Sequence, residues 1–404
     1  MRKTLAFILA GGQGKRMGIL CHERSKPVMP FGPGFRVIDF TLSNCVNSSI
    51  NEMLVAVDYQ RKVTADYVTR WSIYNSRAHE ITVREPSNGG YQGTADAVYQ
   101  NLDYILRSQP DEILILAGDH VYQMDYRELL DFHAYYKGDV TIGTRLVPMD
   151  QASRFGVVHT NNHNRIVEFV EKPEVPPSNL VSMGIYVFKT SALLECLKRD
   201  GAKANSSHDF GHNIIPEMIR GGNRVLSYTY DGYWRDIGTI ESYFSANMDY
   251  LYGRFPSALD VKWPILTCSN FLQLNESVDG KVNNSIVSSS CTIEGRVTNS
   301  IICDNAHVGK NAIVSNSVIM SNTEIGDYSL VDHCVLDEDV VIDRICQIGK
   351  PAANAGKPYI TVLGRGARVS QCDSLSLVNY EKSKCLGIDY FSNSPLVPDH
   401  AIAR

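Results

Sequence analysis

The chain has 404 residues, of which 44% are hydrophobic and 21% are charged, and its formal net charge is −5. This length predicts two or three domains, and the composition excludes a disordered or collagen-like chain. The weakly negative charge provides no basic field of the kind that binds nucleic acid, so we expect no nucleic-acid partner.

The ten cysteines are spread along the chain without a CxxC pair, so we expect reduced, mostly structural thiols. An apolar segment at residues 4–10 imitates a signal peptide, but it continues directly into GGQGKR at residues 11–16. We therefore interpret it as a buried strand. No apolar run reaches the roughly 18 residues of a membrane span, so we expect a cytoplasmic protein without a membrane partner.

Up to about residue 250, short apolar runs alternate with stretches of helical spacing. Runs at residues 5–9, 53–57 and 112–116 predict buried strands, and residues 60–70, 94–106 and 126–136 predict helices. This alternation is typical of an α/β domain with a Rossmann-like, mostly parallel sheet. In such sheets ligands bind at the carboxyl ends of the strands, so the loops after them are the candidate site.

From about residue 280 a repeat replaces this alternation. The tripeptides that begin at Asn284, Asn299, Asn316 and His333 recur at spacings of 15, 17 and 17 residues. A second series of apolar residues repeats with the same 17-residue period, as at Val314 and Val331. The agreement favours a parallel β-helix over an antiparallel sandwich.

The glycine-rich segment at residues 11–16 follows the first predicted strand, so its backbone N–H groups can approach an anion closely. It is not a Walker loop, because Arg16 stands where Ser or Thr is needed, and Met17 breaks the dinucleotide-binding pattern. A phosphate cradle with Lys15, Arg16 and Lys26 and a tight turn with solvated charges both remain open at this point.

Two carboxylates are candidate metal ligands. Asp119 follows the strand at residues 112–116, and Asp236 lies in YWRDIGT at residues 233–239. An Asp at the end of a strand and near a phosphate loop is well placed to hold Mg2+ with substrate phosphates. Asp119 alone would equally well cap the next helix.

An ordered set of motifs now identifies a resemblance. The set comprises LAGGQGKR (9–16), SKP (25–27), FRVIDF (35–40), LSNCVN (42–47), GTADA (93–97), AGDH (117–120), FGV (155–157), FVEKP (169–173), SMGIYV (182–187), SSHDFG (206–211) and YWRDIGT (233–239). In this order they resemble the sugar-1-phosphate nucleotidylyltransferases, above all their bacterial ADP-glucose-forming members. The family also has a C-terminal left-handed β-helix.

The resemblance implies that the chain transfers the adenylyl group of ATP to α-D-glucose 1-phosphate for glycogen synthesis. It implies that glycines and neighbouring residues cradle the nucleotide, namely Gly11, Gly12, Gly14, Gly93, Thr94 and Gly156. It places Arg16 and Lys26 on the triphosphate, with Asp119 and Asp236 as the Mg2+ ligands. The sugar phosphate would contact Lys172, Glu171, Ser182 and Tyr91.

The segment before GTADA departs from the family pattern. Residues 83–91 are shorter than the usual loop and lack its glutamines and its Trp. Either Glu85 or Asn88 takes the place of these residues in reading the base, or the chain uses a different base. FGPG at residues 31–34 replaces a lysine-containing activator motif, so we expect the allosteric control implied by the family to be weak, altered or absent. A third alternative is a non-catalytic regulatory subunit of the same fold.

These observations predict a catalytic domain over residues 1–250, a connector over 251–279 and a β-helix over 280–370. They leave residues 371–404 as a tail of unknown role. The resemblance implies a homotetramer. We expect His120 to shape its loop rather than transfer a proton, and His208 to cap or orient its own loop.

Overall fold

A computed structural model describes residues 2–75, 79–87, 89–255, 260–268, 281–349 and 359–370, together with the backbone of residues 388–391. By their contacts the residues form two compact units. The first comprises Met1–Gly12, Ile38–Trp234 and Val261–Leu266, and the second Gln13–Val37, Arg235–Asp260 and Thr267–Arg404. The domain boundaries given above stay predictions, and parts of the connector and tail lie outside the described residues.

The elements up to residue 251 alternate between strands and helices. The strands are β1 (Thr4–Ala10), β2 (Pro30–Phe31), β3 (Phe35–Arg36), β4 (Glu52–Val57), β5 (Glu80–Arg84), β6 (Glu112–Ala117), β7 (His120–Tyr122), β8 (Val140–Leu146), β9 (Gly156–Thr160), β10 (Ile166–Glu171), β11 (Leu180–Lys189), β12 (Val225–Thr229) and β13 (Trp234–Asp236). The α-helices are α1 (Val37–Asn47), α2 (Arg61–Asn75), α3 (Thr94–Tyr99), α4 (Leu102–Ser108), α5 (Tyr126–Tyr135), α6 (Met149–Ala152), α7 (Thr190–Gly201), α8 (Ile215–Arg220) and α9 (Ile240–Leu251). Short 3-10 helices span Lys15–Cys21 and Lys26–Val28, and a π-helical turn spans Phe210–Ile214.

The first unit is built on one mixed sheet in the order β10-β9-β11-β6-β1-β4-β5, with β8 beside β11 and β12 beside β8. Strands β5, β4, β1 and β6 run parallel, whereas β11 runs antiparallel to β6. Central residues such as Phe7, Leu54 and Ile115 are fully buried, which explains the continuous apolar runs of these strands. The prediction of a Rossmann-like α/β sheet is confirmed.

The helix predicted over residues 94–106 is two helices, α3 and α4, that meet at Asn101. The buried Asn101 side chain donates a hydrogen bond to the Ala97 carbonyl oxygen at 2.8 Å. An Asn side chain that bonds nearby backbone competes with helix propagation, so the apolar spacing continues while the helix does not.

The C-terminal part of the second unit contains short strands in three parallel sheets. They are β14 (Val282–Asn283), β15 (Ile286–Val287), β16 (Thr292–Ile293), β17 (Arg296–Thr298), β18 (Ile301–Ile302), β19 (His307–Val308), β20 (Ile313–Ser315), β21 (Val318–Ile319), β22 (Glu324–Ile325), β23 (Leu330–Asp332), β24 (Cys334–Leu336), β25 (Val341–Ile342), β26 (Gln347–Ile348), β27 (Ile360–Leu363) and β28 (Arg368–Val369). Every third strand pairs in parallel, as in β17-β20-β23-β26. The predicted parallel β-helix is confirmed, and its left-handed sense stays a prediction from the resemblance. A last strand, β29 (Ile388–Phe391), pairs antiparallel with β27.

The repeat noticed in the sequence has a physical cause at one corner of the coil. Asn284, Asn299 and Asn316 all have positive φ, a conformation that Asn tolerates better than most residues. Their side-chain amides form a ladder of hydrogen bonds from coil to coil. Asn284 donates to Asn299 at 2.7 Å, and Asn299 donates to Asn316 at 3.3 Å. The corner therefore repeats once per coil.

A buried ion cluster within the second unit joins residues distant in sequence. Arg24 is buried and contacts both Asp337 and Glu338, and Arg36 Nη2 lies 2.8 Å from Glu338 Oε1. Burial raises the pKa of the Asp337 carboxyl in spite of Arg24. Burial alone would also raise the pKa of Glu338, but Arg36 and Arg24 outweigh it and lower that pKa.

We predict that Asp337→Ala lowers the free energy of unfolding by about 3–5 kcal/mol, because it leaves the buried Arg24 without one of its counter-charges. Denaturant unfolding followed by circular dichroism measures this change. Asp131→Ala is the matched control, since Asp131 lies on helix α5, is 78% exposed and pairs with Arg2. We expect the control to cost less than about 1 kcal/mol. Equal effects of the two substitutions would contradict the prediction.

Candidate active site

The carboxyl ends of β1 and β4 leave little room between them. Ala10 pairs with Val57, so Gly11 and Asp58 emerge side by side. A Cβ atom on Gly11 would lie 2.9 Å from the Asp58 Cβ, which is closer than real Cβ contacts, whereas one on Gly12 would meet no atom within 4 Å. A ligand that approaches this end of the sheet at Gly11 would therefore contact backbone atoms.

In the second unit the glycine-rich segment continues into a turn. Gly14 has a φ of 64°, and a Cβ there would lie 2.8 Å from the Cys21 Sγ. Only glycine combines this left-handed backbone with so little space. The 3-10 helix Lys15–Cys21 follows, and it carries the exposed Arg16.

Lys26, Arg16 and Asp236 come together in the second unit. The buried Lys26 places its Nζ 2.7 Å from Asp236 Oδ1. A Cβ atom on Gly238 would lie 2.8 Å from both Arg16 Nη2 and Asp236 Oδ2. Lys26 thus pairs directly with Asp236, and Arg16 lies on the other side of the space at Gly238. An ionised carboxylate is a hard oxygen ligand and suits a divalent cation such as Mg2+.

Asp119 lies in the first unit, in the turn after β6, and its side chain is 27% exposed. His120 Nε2 lies 3.6 Å from Asp119 Oδ1, while His120 Nδ1 lies 3.3 Å from the Trp234 Nε1–H, which can only donate. An imidazole nitrogen that accepts the Trp234 N–H carries no proton, which leaves Nε2 as the donor nitrogen of a neutral His120. The role of His120 in shaping the loop and the sharing of one metal ion by Asp119 and Asp236 both stay predictions.

Gly93 and Thr94 hold a neighbouring loop. A Cβ atom on Gly93 would overlap the carbonyl oxygens of Ser207 and His208. Thr94 Oγ1 donates to Asp209 Oδ2 at 2.9 Å and accepts the Phe210 N–H at 3.0 Å. These two residues therefore dock the 207–210 segment on the start of α3, and their predicted contact with nucleotide stays a prediction.

Glu171 and Lys172 lie at the end of β10. Lys172 Nζ is 3.1 Å from Glu171 Oε1, and the Lys172 side chain is 58% exposed. Gly156 pairs with Glu171 in the sheet, and a Cβ there would lie 2.8 Å from Glu171 Oε2. The structure therefore places Gly156 with the predicted sugar-phosphate residues.

Ser182 and Tyr91 both already have partners. The buried Ser182 hydroxyl donates to the Tyr186 hydroxyl at 3.3 Å and accepts the Gly184 N–H at 3.2 Å. The Tyr91 N–H donates to Asp58 Oδ2 at 3.2 Å, and burial raises the pKa of its phenol. Glu85 is exposed, and Asn88 lies outside the described residues.

Two acidic residues that position this region were missed in the sequence. Asp209 accepts the Gly211 and His212 N–H groups and the Thr94 hydroxyl. Its place in SSHDFG drew attention to His208 instead, whose Nδ1 lies 2.7 Å from Asp200 Oδ2. Asp58 stands alone after a strand, and no pattern marked it.

Comparison with known proteins identifies the family. Residues 5–253 match the family model described as nucleotidyl transferase, and residues 267–367 match the GlmU-like C-terminal hexapeptide model. The chain belongs to the nucleotidyl transferase family. This family generally uses a divalent metal ion. The residues 267–367 that match the hexapeptide model include those of the parallel β-helix from β14 to β27.

Several relatives cover most of the chain. One from Desulfitobacterium hafniense (strain Y51) is 39% identical over 375 residues, which is 90% of this chain and 94% of that protein. Proteins from Geobacillus stearothermophilus and Pseudothermotoga lettingae are each 43% identical over 323 residues, or 78% of this chain and 83% and 77% of theirs. All three are named glucose-1-phosphate adenylyltransferase. In the part of the chain that the structure describes, no helix is long and apolar enough to cross a membrane.

We predict that Gly93→Ala lowers the free energy of unfolding by about 1–3 kcal/mol, because the added methyl group overlaps the 207–210 backbone. Thermal unfolding of the purified protein measures the loss. Gly12→Ala is the control for stability, since a Cβ atom there meets open space. A Gly93→Ala protein as stable as the control would show that this segment does not dock as described.

Proposed function

We propose that the protein is a glucose-1-phosphate adenylyltransferase, which converts ATP and α-D-glucose 1-phosphate into ADP-glucose and pyrophosphate for α-glucan synthesis. The observation that carries the proposal is the 39% identity to a protein of that name over 90% of the chain. Relatives from other organisms with the same name support it at 41–43% identity.

In this reaction a phosphate oxygen of glucose 1-phosphate attacks the α-phosphorus of ATP. A new O–P bond forms, the bond from the α-phosphorus to the bridging oxygen breaks, and pyrophosphate leaves with the electron pair. The attacking oxygen is already deprotonated at neutral pH, so the protein needs no general base. Its task is to position two anions and offset their repulsion.

Arg16 and Lys26 supply cations for the triphosphate. Their position beside Asp236 supports this role, because a buried ammonium that pairs with a carboxylate is already oriented for an anion. Gly11 and Gly12 present backbone to the nucleotide from the end of β1. Gly14 continues that cradle in the second unit.

Asp119 and Asp236 are the proposed Mg2+ ligands. When bound, the metal ion neutralises charge on the phosphates and orients them. The donor chemistry fits, since both are carboxylates and neither side chain is more than 27% exposed. Lys26 pairs with Asp236, and His120 lies 3.6 Å from Asp119.

Lys172 would bind the phosphate of glucose 1-phosphate, and Glu171 and Ser182 would accept or donate hydrogen bonds to its hydroxyls. Lys172 supports this assignment because its ammonium is largely exposed beside a carboxylate at a strand end. Tyr91, Gly93, Thr94 and Gly156 complete the proposed pocket. The homotetramer, the cytoplasmic location and any allosteric control stay predictions from the resemblance.

The experiment that tests the function offers ATP, UTP, dTTP, CTP and GTP separately with glucose 1-phosphate and Mg2+, and measures pyrophosphate release. We expect ATP to be preferred. Preference for another triphosphate would assign the alternative reaction, which the short 83–91 segment makes worth testing. Silence with all five in folded protein would favour a non-catalytic subunit.

We predict that Asp119→Ala lowers kcat by about 100-fold or more while the fold is retained, because positioned charge contributes several kcal/mol to such reactions. The same assay measures kcat, and circular dichroism verifies the fold. Asp131→Ala is the control, since Asp131 is 78% exposed and pairs with Arg2. Near-normal turnover of Asp119→Ala would remove Asp119 from the metal site.

A further inference from the structure

Asp58 follows the last residue of β4 in the first unit, at the end of the sheet where β1 also ends. Its Cβ atom packs beside Gly11, and its carboxylate accepts the Tyr91 N–H at 3.2 Å. A Cβ atom on Gly90 would lie 3.7 Å from both carboxylate oxygens, which is an ordinary contact distance, so the carboxylate faces the segment just before Tyr91. The Tyr59 N–H also donates to the Gly11 carbonyl oxygen at 3.4 Å. Asp58 thus lies where the chain leaves β1 and β4 and where the segment before α3 returns.

The carboxylate keeps capacity for another hydrogen bond. Arg61 Nη2 is 3.6 Å from Asp58 Oδ1, which is an ion-pair distance and too long for a hydrogen bond. An ionised carboxylate has about four acceptor positions. Among the described residues, the Tyr91 N–H takes one of them, and the side chain is 27% exposed.

The charge of Asp58 decides which end of a nucleotide it can face. A triphosphate is strongly anionic, so a carboxylate beside it would be repelled. The opposite end, the base, carries neutral amino and carbonyl groups. Ligands of open α/β sheets bind at the carboxyl ends of the strands, which is where Asp58 lies. The neutral donors of a nucleotide, its ribose hydroxyls and the amino group of its base, are therefore the parts that this carboxylate can bind, and only a contact with the base would distinguish ATP from UTP.

We propose that Asp58 determines nucleotide specificity by accepting a hydrogen bond from the exocyclic amino group of the base, which selects ATP over UTP and dTTP. This inference rests on the proposed function and deepens it. Adenine presents N6–H2 as a donor, whereas uracil and thymine present a carbonyl oxygen at the corresponding edge. A carboxylate accepts from the first and repels the second. A site that hydrogen-bonds a donor of its substrate discriminates against an analogue that lacks this donor.

The test compares kcat/KM for ATP and UTP in the wild-type chain and in Asp58→Asn, with Mg2+ and glucose 1-phosphate. The Asn side chain keeps an oxygen for the Tyr91 N–H and adds an amide donor that suits a carbonyl. We expect the ATP-to-UTP ratio to fall at least tenfold. Asp58→Ser is the second variant if Asp58→Asn does not fold, and it too should lose preference.

Asp96→Asn is the matched control. Asp96 accepts hydrogen bonds from the Gln92 N–H at 2.9 Å and from the Gln100 side-chain amide. It therefore also holds the segment before α3, but through the residue that follows Tyr91. A role of Asp58 in loop structure alone predicts equal losses with every nucleotide and an unchanged ratio, as for Asp96→Asn. That outcome would overturn the proposal and leave the adenylyltransferase function intact.

The failures of the two proposals are distinguishable. A wild-type chain that prefers CTP would contradict the adenylyltransferase proposal but support Asp58, because cytosine carries an amino group at the corresponding edge. A preference for GTP would contradict both, because guanine presents a carbonyl oxygen there. A preference for UTP or dTTP would contradict both. If the wild type is inactive, calorimetric binding of ATP and UTP with Mg2+ to both chains reads the same ratio, and an unchanged ratio would overturn the role of Asp58.

Discussion

Close packing of backbone where parallel strands end is the constraint on which the candidate site depends. Gly11 leaves β1 against Asp58, and Gly118 leaves β6 with its N–H donating to the Leu9 carbonyl oxygen at 3.0 Å. On both sides of β1, the neighbouring chain therefore leaves little room for a side chain at Gly11 or Gly118. Functional groups must come from neighbouring loops, which is why Asp58 and Asp119 stand one residue and two residues beyond β4 and β6. The backbone of the sheet therefore determines where functional side chains can lie.

Paired charges organise the second unit in two different ways. The Arg24 cluster is deeply buried, and its acids are committed to arginines, so it holds distant segments together. Lys26 and Asp236 are also buried but stand beside the exposed Arg16 and a glycine. A pair at such a place can exchange partners when an anion arrives, because the ammonium and the carboxylate each keep a charge to offer. An ion pair that is buried away from the surface stabilises the fold, whereas one that lies beside exposed residues can bind a ligand.

Much of the fold could be predicted from the sequence, because it rests on periodic patterns. Continuous apolar runs marked β1, β4 and β6, and the period of 17 residues marked the β-helix. The break at Asn101 could not be predicted, because a single side-chain hydrogen bond interrupts a helix without disturbing its apolar spacing. Asp58 could not be predicted for a related reason: its importance comes from Gly11 and Tyr91, which are distant in sequence.

Motif residues also divide into those that can meet a ligand and those that make room for others. Gly156 belongs to a motif predicted to bind nucleotide, yet a Cβ atom there would displace Phe169 and the Glu171 carboxylate. Gly211 has the same relation to Glu171 from the opposite segment. Two glycines from separate motifs therefore define the space of one carboxylate at the end of β10, next to Lys172. A motif glycine of this chain thus fixes the position of an acid that we propose as a substrate ligand.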